Sequence, residues 1–341
     1  MKKQRRFLVI RTDRVGDVIM ITPIVRELRK SFPDSFISVL TRPQTADVFK
    51  YNPYINSIIT DDLTDDSFWN VVSEIGKNNF THGLLVFPTE RAAFQMFFGG
   101  VKKRYMTGFR LYSILTLCRG VSRNKYRNLK HEADYCMDLA RRIGVKCYNL
   151  KVEMFISEEE SLKAEQILKI NGVPLNSYKI FIHTGSGNSA PNWSEEKYLI
   201  LIKKIIEKFN DKNFSIILTA KEMTENFLRK IKDINDKRII DLSRVLVSLR
   251  DLSICISKAD LFISSSTGPA HIADAFNIKA IVIHCHRNVS SAKHWGMLNE
   301  KSINLEVSEE FCNANCSSDK KICKFEEGMK VEEVLNHIVI N

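Results

Sequence analysis

The sequence lacks the glycine-rich signatures with which many sheet-and-helix proteins bind nucleotides. No Gly-x-Gly-x-x-Gly motif follows an apolar run, and no P-loop pattern occurs. The missing dinucleotide motif counts against an enzyme of the nicotinamide or flavin class. No Asp-x-Asp triplet occurs either, which argues against a pair of carboxylates that would hold a divalent cation on a nucleotide sugar.

Long hydrophobic runs are also missing. The apolar run after the basic start covers only Phe7–Ile10 before Arg11 interrupts it, so the pattern of a signal peptide is not met. The charge-free stretch 92–101 has ten residues, whereas a membrane-spanning helix needs about 20. We therefore expect a cytoplasmic protein. Its 341 residues exceed the usual size of one domain, so two domains are expected.

The eight cysteines are scattered along the chain, which fits a reducing compartment. Three of them lie among apolar residues of predicted helices and are expected to be packing residues: Cys118, Cys136 and Cys255. Another three form a cluster: Cys312, Cys316 and Cys323. Its spacing is too irregular for a zinc ribbon. Free thiols are the favoured interpretation, and a metal site completed by His284 or His286 is the alternative.

Positive charge is concentrated in the first half of the chain. The net charge is +11, and residues 1–150 carry all of it, with 25 basic against 14 acidic residues. From residue 91 to residue 131 there are ten basic residues and no acidic one. Such a stretch is either a solvated surface or the contact site of an anionic partner.

A membrane surface is one anionic partner that fits this stretch. Phe94, Met96, Phe97 and Phe98 precede Lys102-Lys103-Arg104, the order expected of a segment that touches a membrane interface. Each basic side chain near an anionic leaflet adds about 1 kcal/mol, so a handful is enough for peripheral attachment. Nucleic acid is not expected as a partner, because no helix-turn-helix, zinc finger or ribonucleoprotein motif is present.

Short apolar runs alternate with helix-length segments along the whole chain. The predicted strands are Phe7–Arg11, Phe36–Leu40, Ile55–Thr60, Gly83–Phe87 and Lys103–Phe109, then Lys179–His183, Ser215–Thr219, Arg238–Leu242, Leu261–Ser265 and Ala280–His284. This alternation predicts an α/β protein with two parallel sheets, each covered on both faces. We expect a first domain over 1–150 and a second over 151–341. A return of the last helical pattern, Val331–Ile340, to the first domain is left open.

The first motif, Arg11-Thr12-Asp13-Arg14-Val15-Gly16-Asp17, directly follows the first predicted strand. Behind it, Thr22 and Pro23 look like an N-cap and a first helical position. The predicted helix turns apolar residues inward and four others outward: Arg26, Glu27, Arg29 and Lys30. Asp17 therefore lies at the carboxyl end of a first strand, where open α/β sheets place ligands and catalytic groups.

The second motif is Ser264-Ser265-Ser266-Thr267-Gly268-Pro269-Ala270-His271, between a predicted strand and an apolar helix. The free N–H groups at such a helix start suit a phosphate. Thr267 and His271 are four residues apart, so both can reach one diphosphate from one helix face. A lone histidine on an apolar helix is more often a core residue, but the Thr-Gly-Pro turn before His271 favours a ligand role.

A third segment, His183 through Trp193, is rich in glycine and serine directly after a predicted buried strand. Backbone N–H groups at Ser186 and Gly187 can approach a phosphate there, and an ordinary strand-to-helix connection is the alternative. Glu222 follows the next strand at the same sheet edge. Its carboxylate either accepts hydrogen bonds from a ribose or stands at a helix start without a ligand.

Together these motifs resemble those of the ADP-heptose:lipopolysaccharide heptosyltransferases, glycosyltransferase family nine, over nearly the whole chain. The resemblance implies an α/β GT-B fold, in which two Rossmann-like domains with parallel sheets face each other across a cleft. It also implies inverting transfer without a metal or other cofactor, with Asp17 as general base. The residues expected to bind the ADP-sugar donor are Thr267, Gly268, His271, Ser186, Gly187 and Glu222.

The acceptor that the resemblance implies is an anionic lipopolysaccharide core, met at the cytoplasmic face of the inner membrane. The residues expected to contact it are Arg14, Gly16, Lys102, Lys103 and Arg104. Asp17 has a reference pKa of about 3.9, so it is expected to be ionised but weakly basic at neutral pH.

Two positions depart from the family pattern. Family members commonly carry a lysine two residues before the tryptophan of the third segment, and this chain has Pro191 there. Many carry an acid just before the Thr-Gly pair, where this chain has Ser266. The missing cation bears on the identity of the donor, and three residues are candidate replacements: Arg14, Lys221 and Arg287. A transferase with another nucleotide sugar or a protein acceptor, or a noncatalytic nucleotide-sugar-binding relative, is the alternative.

Overall fold

The chain forms two compact units, Met1–Phe155 and Ile156–Asn341. In this computed structural model the described residues are 4–123, 129–188, 190–287, 289–317 and 322–340. The division falls after residue 155 because Arg26 draws the segment 149–153 onto the first unit. Its guanidinium donates to the Asn149 carbonyl at 2.9 Å and to the Lys151 carbonyl at 2.6 Å, and it pairs with Glu153 at 2.8 Å.

Within its described residues, the first unit is a six-stranded parallel sheet with helices. Its strands are β1 (Arg6–Ile10), β2 (Phe36–Thr41), β3 (Ser57–Thr60), β4 (His82–Leu85), β5 (Lys103–Thr107) and β6 (Cys118–Val121). Its helices are α1 (Val15–Ile19), α2 (Thr22–Ser31), α3 (Asp65–Asn78), α4 (Glu90–Phe98), α5 (Leu111–Leu115) and α6 (Glu132–Arg141), with a 3-10 helix at Pro43–Phe49.

The second unit, over the residues described there, repeats this plan. Its strands are β7 (Tyr178–His183), β8 (Phe214–Leu218), β9 (Ile239–Asp241), β10 (Leu261–Ser265), β11 (Ala280–His284) and β12 (Ile303–Glu306). Its helices are α7 (Glu158–Ile170), α8 (Glu195–Lys208), α9 (Glu225–Asp233), α10 (Leu249–Ile256), α11 (Gly268–Ala275), α12 (Ala292–Trp295), α13 (Glu309–Asn315) and α14 (Val331–Asn336).

The two sheets have the same strand order. The first runs β3-β2-β1-β4-β5-β6 and the second β9-β8-β7-β10-β11-β12, and the strand pairings described in both are parallel. In each unit the two strands after the first are added on one side of it, and the later strands on the other side. The strand order therefore reverses between β1 and β4 and between β7 and β10. Loops at the carboxyl ends of these strands border the crevice where doubly wound sheets bind ligands.

The central strands are almost entirely buried, because their apolar runs, such as residues 7–10 of β1 and 261–263 of β10, present apolar side chains to both faces of the sheet. The sequence analysis missed two strands, β6 and β12. Each lies at one edge of its sheet, and its short, partly polar sequence (CRGV or INLE) carries no strand pattern. Edge strands have one paired side only, so they need less apolar character than central strands.

Helix α2 differs from its predicted pattern. Arg26 and Glu27 were expected outside, but both side chains are buried and pair with each other at 2.8 Å. The ion pair and the carbonyls described above compensate the burial of the charge. Thr22 is the first helical residue rather than the N-cap, and its hydroxyl donates to the Ile19 carbonyl at 2.8 Å.

The last helix, α14, packs on α8 of the second unit. Val331 and Val334 are buried in that unit's apolar core, and Lys204 on α8 pairs with Glu332 at 3.1 Å. The last helical pattern, whose return to the first domain the sequence left open, thus packs on its own unit. Among the described residues, no helix has both the length and the apolar character needed to cross a membrane.

Candidate active site

Asp17 lies in the first unit at the carboxyl end of β1. Strand β1 ends at Ile10, and the loop that follows leads into the short helix α1, whose first turn contains Asp17. Arg11, directly after the strand, donates its backbone N–H to the Leu40 carbonyl at 3.0 Å and so continues the sheet by one residue. The acid thus borders the crevice position of its sheet.

The buried side chain of Arg11 contacts several acidic residues around this position. Its guanidinium donates to Asp17 Oδ1 at 2.7 Å and to Asp13 Oδ1 at 2.9 Å. It also lies 3.0 Å from Glu132 Oε1 and donates to Cys136 Sγ at 2.9 Å. Arg11 is thus held from four sides, so its contact with Asp17 has a fixed direction. Sequence reasoning missed Glu132 and Cys136, since they come from α6 and no local pattern links them to β1.

The cluster changes the proton affinity of Asp17. Burial raises the pKa of Asp17 to about 6, helped by the negative charges of Asp13 and Glu132 and opposed by Arg11. The expectation of an ordinary, weakly basic carboxylate is therefore corrected. At neutral pH the group is still mostly ionised, and its proton affinity is closer to that of an effective general base.

Two candidate acceptor residues lie beside Asp17. Gly16 precedes it in α1 and is buried, and Arg14 is exposed at the helix N-cap. The charge of Arg14 slightly opposes the rise in the pKa of Asp17. A cation that faces solvent next to the acid is available for an anionic group of a substrate.

The other three candidate acceptor residues are not brought together with Asp17. Lys103 begins β5 in register with His82 at the start of β4, so it lies at the amino edge of the sheet, opposite to Asp17. Lys102 directly precedes it and is exposed. Arg104 donates to the carbonyls of Val101 and Thr116.

In the second unit, two candidate loops meet at the carboxyl edge. Strands β7 and β10 are neighbours, with His183 in register with Ser264. The segment after His183 and the segment from Ser266 to the start of α11 therefore leave the sheet side by side. The sequence predicted this pair of loops from two apolar runs that are far apart in the chain.

Thr267 stands at the N-cap of α11 without capping it. The threonine and serine N-caps of α8, α9 and α10 accept a hydrogen bond from a first-turn N–H, but Thr267 does not. Its Oγ1 is buried and has no hydrogen-bond partner among the described residues. An uncapped helix start with an unused hydroxyl is suited to an anion. His271, one turn on, is buried with its ring centroid 5.7 Å from that of Trp295.

The loop after β7 is shaped by its glycines. A Cβ at Gly185 would lie 2.3 Å from Glu222 Oε2, so the carboxylate can approach only because residue 185 is glycine. Gly187 has a φ of +51°, in the left-handed region, and a side chain there would meet open space. Burial lowers the pKa of His183 to about 4, partly opposed by Glu222, so this imidazole is neutral at pH 7.

A tyrosine that the sequence did not single out braces this loop on β10. The Tyr198 hydroxyl accepts from the backbone N–H of Ser265 at 3.2 Å and donates to Asn192 Oδ1 at 3.1 Å. Asn192 in turn donates to the Thr184 carbonyl. The brace fixes the third segment against the Thr267 loop, and its signal in the sequence was only an apolar helix position.

The candidate replacements for the missing lysine are placed differently. Pro191 is half-buried, and Lys221 is exposed but donates its ammonium to the Val247 carbonyl. Arg287 lies three residues past the end of β11, the strand next to β10, so it is at the carboxyl edge of the sheet, as the Thr267 loop is. Its side chain contacts the Cys312 thiol. Arg287 is therefore the better placed cation of this unit, and Ser266 is buried.

The three clustered cysteines form no disulfide within the described residues. All eight cysteines lie within the described residues and are free. Within that part of the chain, no three His, Cys, Asp or Glu side chains are grouped so as to hold a metal ion. The histidines considered as ligands contact other groups instead, His284 at 3.1 Å from Asn304 Oδ1 and His286 at 2.9 Å from Glu306 Oε1.

Two Rossmann-like units in series, each with candidate binding groups at the crevice of its sheet, define a protein of the GT-B fold class. The sequence profile of glycosyltransferase family 9 (heptosyltransferase) matches residues 70–325, so the chain belongs to this family and is a glycosyltransferase.

Relatives and solved structures agree with this assignment. A proposed glycosyltransferase of Haemophilus influenzae is 30% identical over 86% of each chain. The glycosyltransferase family 9 structure from Veillonella parvula has a TM-score of 0.81 at 18% identity and covers 99% of this chain and 97% of its own. The E. coli ADP-heptose lipopolysaccharide heptosyltransferase II has a TM-score of 0.74 at 15% identity, with 97% of each chain covered.

Proposed function

We propose that the protein transfers a heptose, or a related sugar, from an ADP-linked donor to an anionic lipopolysaccharide core at the cytoplasmic face of the inner membrane. The transfer is inverting and needs no metal. The observation that carries the proposal is Asp17: one acid in the crevice of its sheet, oriented by Arg11, with its pKa raised to about 6. The family supports the reaction class, and the donor and acceptor classes are proposed by analogy with the heptosyltransferase named above.

In the reaction, the acceptor hydroxyl gives its proton to an Asp17 carboxylate oxygen as its own oxygen bonds to the anomeric carbon. The bond from that carbon to the diphosphate breaks, and the electron pair leaves with ADP. A single displacement inverts the anomeric carbon, so one carboxylate is enough. A base whose pKa lies close to the working pH is suited to accept this proton.

The second unit receives the diphosphate. The first N–H groups of α11, the Thr267 hydroxyl and the Ser186-Gly187 loop are neutral donors gathered at one sheet edge. Donors fixed in advance stabilise the charge that develops on a leaving diphosphate without reorganisation. His271 adds an imidazole to this set, and Glu222 is a hydrogen-bond acceptor for a ribose.

The test is transfer from ADP-heptose to a heptose-deficient lipopolysaccharide core, with and without EDTA, followed by mass spectrometry. We expect an added heptose that persists in EDTA and is lost in Asp17→Ala. Asp13→Ala is the matched control, because it also removes a carboxylate from Arg11 but not the proposed base. We expect it to retain far more activity than Asp17→Ala.

Donor identity is tested by competition among ADP, UDP and GDP for binding. ADP should bind best. Transfer in which UDP-sugar or GDP-sugar replaces ADP-heptose would keep the reaction class and change the donor. ADP binding without any transfer, unaffected by Asp17→Ala, would point to a noncatalytic nucleotide-sugar-binding protein.

A further inference from the structure

Helix α5 and its flanking residues have an inverted distribution of apolar and polar side chains. Five apolar residues are each between 62% and 79% exposed: Phe109, Leu111, Ile114, Leu115 and Leu117. On the opposite side, Ser113 and Thr116 are buried. A surface helix of a globular protein has the reverse arrangement, with its apolar side toward the core and its polar side toward water.

The polar side of α5 is buried at little cost because its hydroxyls are satisfied within the helix. Ser113 Oγ donates to the Arg110 carbonyl, and Thr116 Oγ1 donates to the Tyr112 carbonyl at 2.6 Å. The Tyr112 hydroxyl, which donates to the Pro88 carbonyl at 2.8 Å, anchors the same side. These contacts fix the helix with its leucines outward.

A second exposed apolar group lies nearby in the same unit. Helix α4 packs against both α3 and α5. On α3 and α4, the exposed rings of Trp69 and Phe98 lie 5.6 Å apart, and Phe94 stacks on Phe98 at 5.8 Å. Tryptophan with one exposed face is typical of membrane–water interfaces.

The charge around this surface favours an anionic lipid surface over a second copy of the chain as the partner that covers it. Arg110 and Arg119 flank α5 and are exposed, as are Lys102 and Lys103. No acidic residue occurs from 91 to 131. In a symmetric dimer the same patch faces itself, which would place these cations against one another. An anionic lipid surface accepts both the leucines and the cations.

We propose that Phe109, Leu111, Ile114, Leu115 and Leu117, the lipid-facing surface, insert into the headgroup region of an anionic bilayer. The inference deepens the proposed function, because it says which surface meets the membrane that holds the acceptor. The sequence pointed to Phe94, Met96, Phe97 and Phe98. Of these, Phe98 is exposed, Phe94 and Phe97 are half-buried, and Met96 is buried. The lipid-facing surface starts directly after β5, at the same sheet edge as Asp17, and ends at Leu117 directly before β6, at the opposite edge where Lys102 and Lys103 lie.

The test is flotation of the purified protein with phosphatidylcholine vesicles, with and without phosphatidylglycerol. The protein should float only with the anionic vesicles, and salt should release it. Leu111→Ser/Ile114→Ser/Leu115→Ser should lower the partition coefficient at least about 10-fold. Arg110→Ser/Arg119→Ser should lower it about 30-fold on anionic vesicles.

The matched control changes three exposed apolar residues of the second unit, Leu162→Ser/Ile170→Ser/Leu175→Ser. It should bind vesicles as the wild type does. All replaced side chains are exposed, so equal thermal unfolding of the variants checks that none has lost its fold.

Equal vesicle binding by wild type and the α5 triple variant would overturn the proposal. So would a wild-type dimer that the same variant dissociates, with no vesicle binding, which would assign the surface to a second copy of the chain. Vesicle binding is measured without donor or acceptor, so it is independent of transfer. Loss of transfer with intact flotation would count against the proposed function alone.

Discussion

The two units share one strand order but place opposite chemistry at the same position. In the first unit the crevice holds a charged network, with Arg11 among Asp13, Asp17 and Glu132, and an acid whose pKa is raised to about 6. In the second it holds hydroxyls, backbone N–H groups and a neutral histidine, His183. In the proposed function the first unit accepts a proton and the second binds an anion, so the loops rather than the shared sheet would determine the chemistry.

The largest expected effect is a loss of catalytic rate caused by a change in the first unit, with no change in ADP binding by the second. Asp17→Asn should lower kcat by about 10²–10⁴-fold, because it removes the proton acceptor but keeps the side-chain shape. The affinity for ADP, a property of the second unit, should be unchanged when measured by calorimetry. Equal loss of rate and ADP affinity would show that the variant disturbs both units.

Thr267→Val is the converse change in the second unit. It removes a buried hydroxyl that has no hydrogen-bond partner among the described residues, so the free energy of unfolding should fall little or rise. ADP affinity should fall about 10–100-fold, the value of a hydrogen bond to a charged group. The matched control is Thr224→Val, which removes a true N-cap of α9: it should cost about 1 kcal/mol of stability and leave ADP binding intact. An unchanged ADP affinity in Thr267→Val would remove the hydroxyl from the donor site.

Asp17, the half-buried acid of the first unit, should destabilise the fold at high pH. Its folded-state pKa of about 6 lies above the reference value of 3.8, so the folded protein holds a proton that the unfolded chain releases. The destabilisation is absent below pH 4 and complete above pH 6. Asp17→Asn should therefore raise the free energy of unfolding by about 1–2 kcal/mol at pH 8 and by almost nothing at pH 4. Urea unfolding at both pH values measures this, and an equal difference at the two would contradict the raised pKa.

Pro191→Lys should have the smallest effect. It restores a cation in a site that otherwise relies on neutral donors, so ADP affinity should rise a few-fold at low salt and less at high salt. No change in any salt would indicate that residue 191 does not face the diphosphate.

The sequence was sufficient for the fold because central strands carry apolar runs, residues 7–10 in β1 and 261–263 in β10, and alternate with helices. It failed for β6 and β12, whose polar sequences are tolerated at sheet edges, and for α2, where Arg26 and Glu27 are buried as a pair. These outcomes depend on tertiary partners, which periodicity does not contain.

The candidate site was predicted in its positions but not in its electrostatics. Asp17 and Thr267 follow strands, so local pattern was enough to place them. The raised pKa of Asp17 depends on burial and on Glu132, and Arg11 meets Cys136 from 125 residues along the chain. Likewise, the charge of Lys103 could not show that it lies at the opposite sheet edge from Asp17. That position follows from the register of β5.

The most direct measurement is the pH dependence of kcat/KM for heptose transfer from ADP-heptose, in wild type and Asp17→Asn. We predict a wild-type rate that rises with pH to a plateau, with an apparent pKa near 6. The variant should show only a low, flat residual rate. A wild-type profile that is flat from pH 5 to pH 8, or an Asp17→Asn variant with the same rising limb, would contradict the assignment of Asp17 as the base.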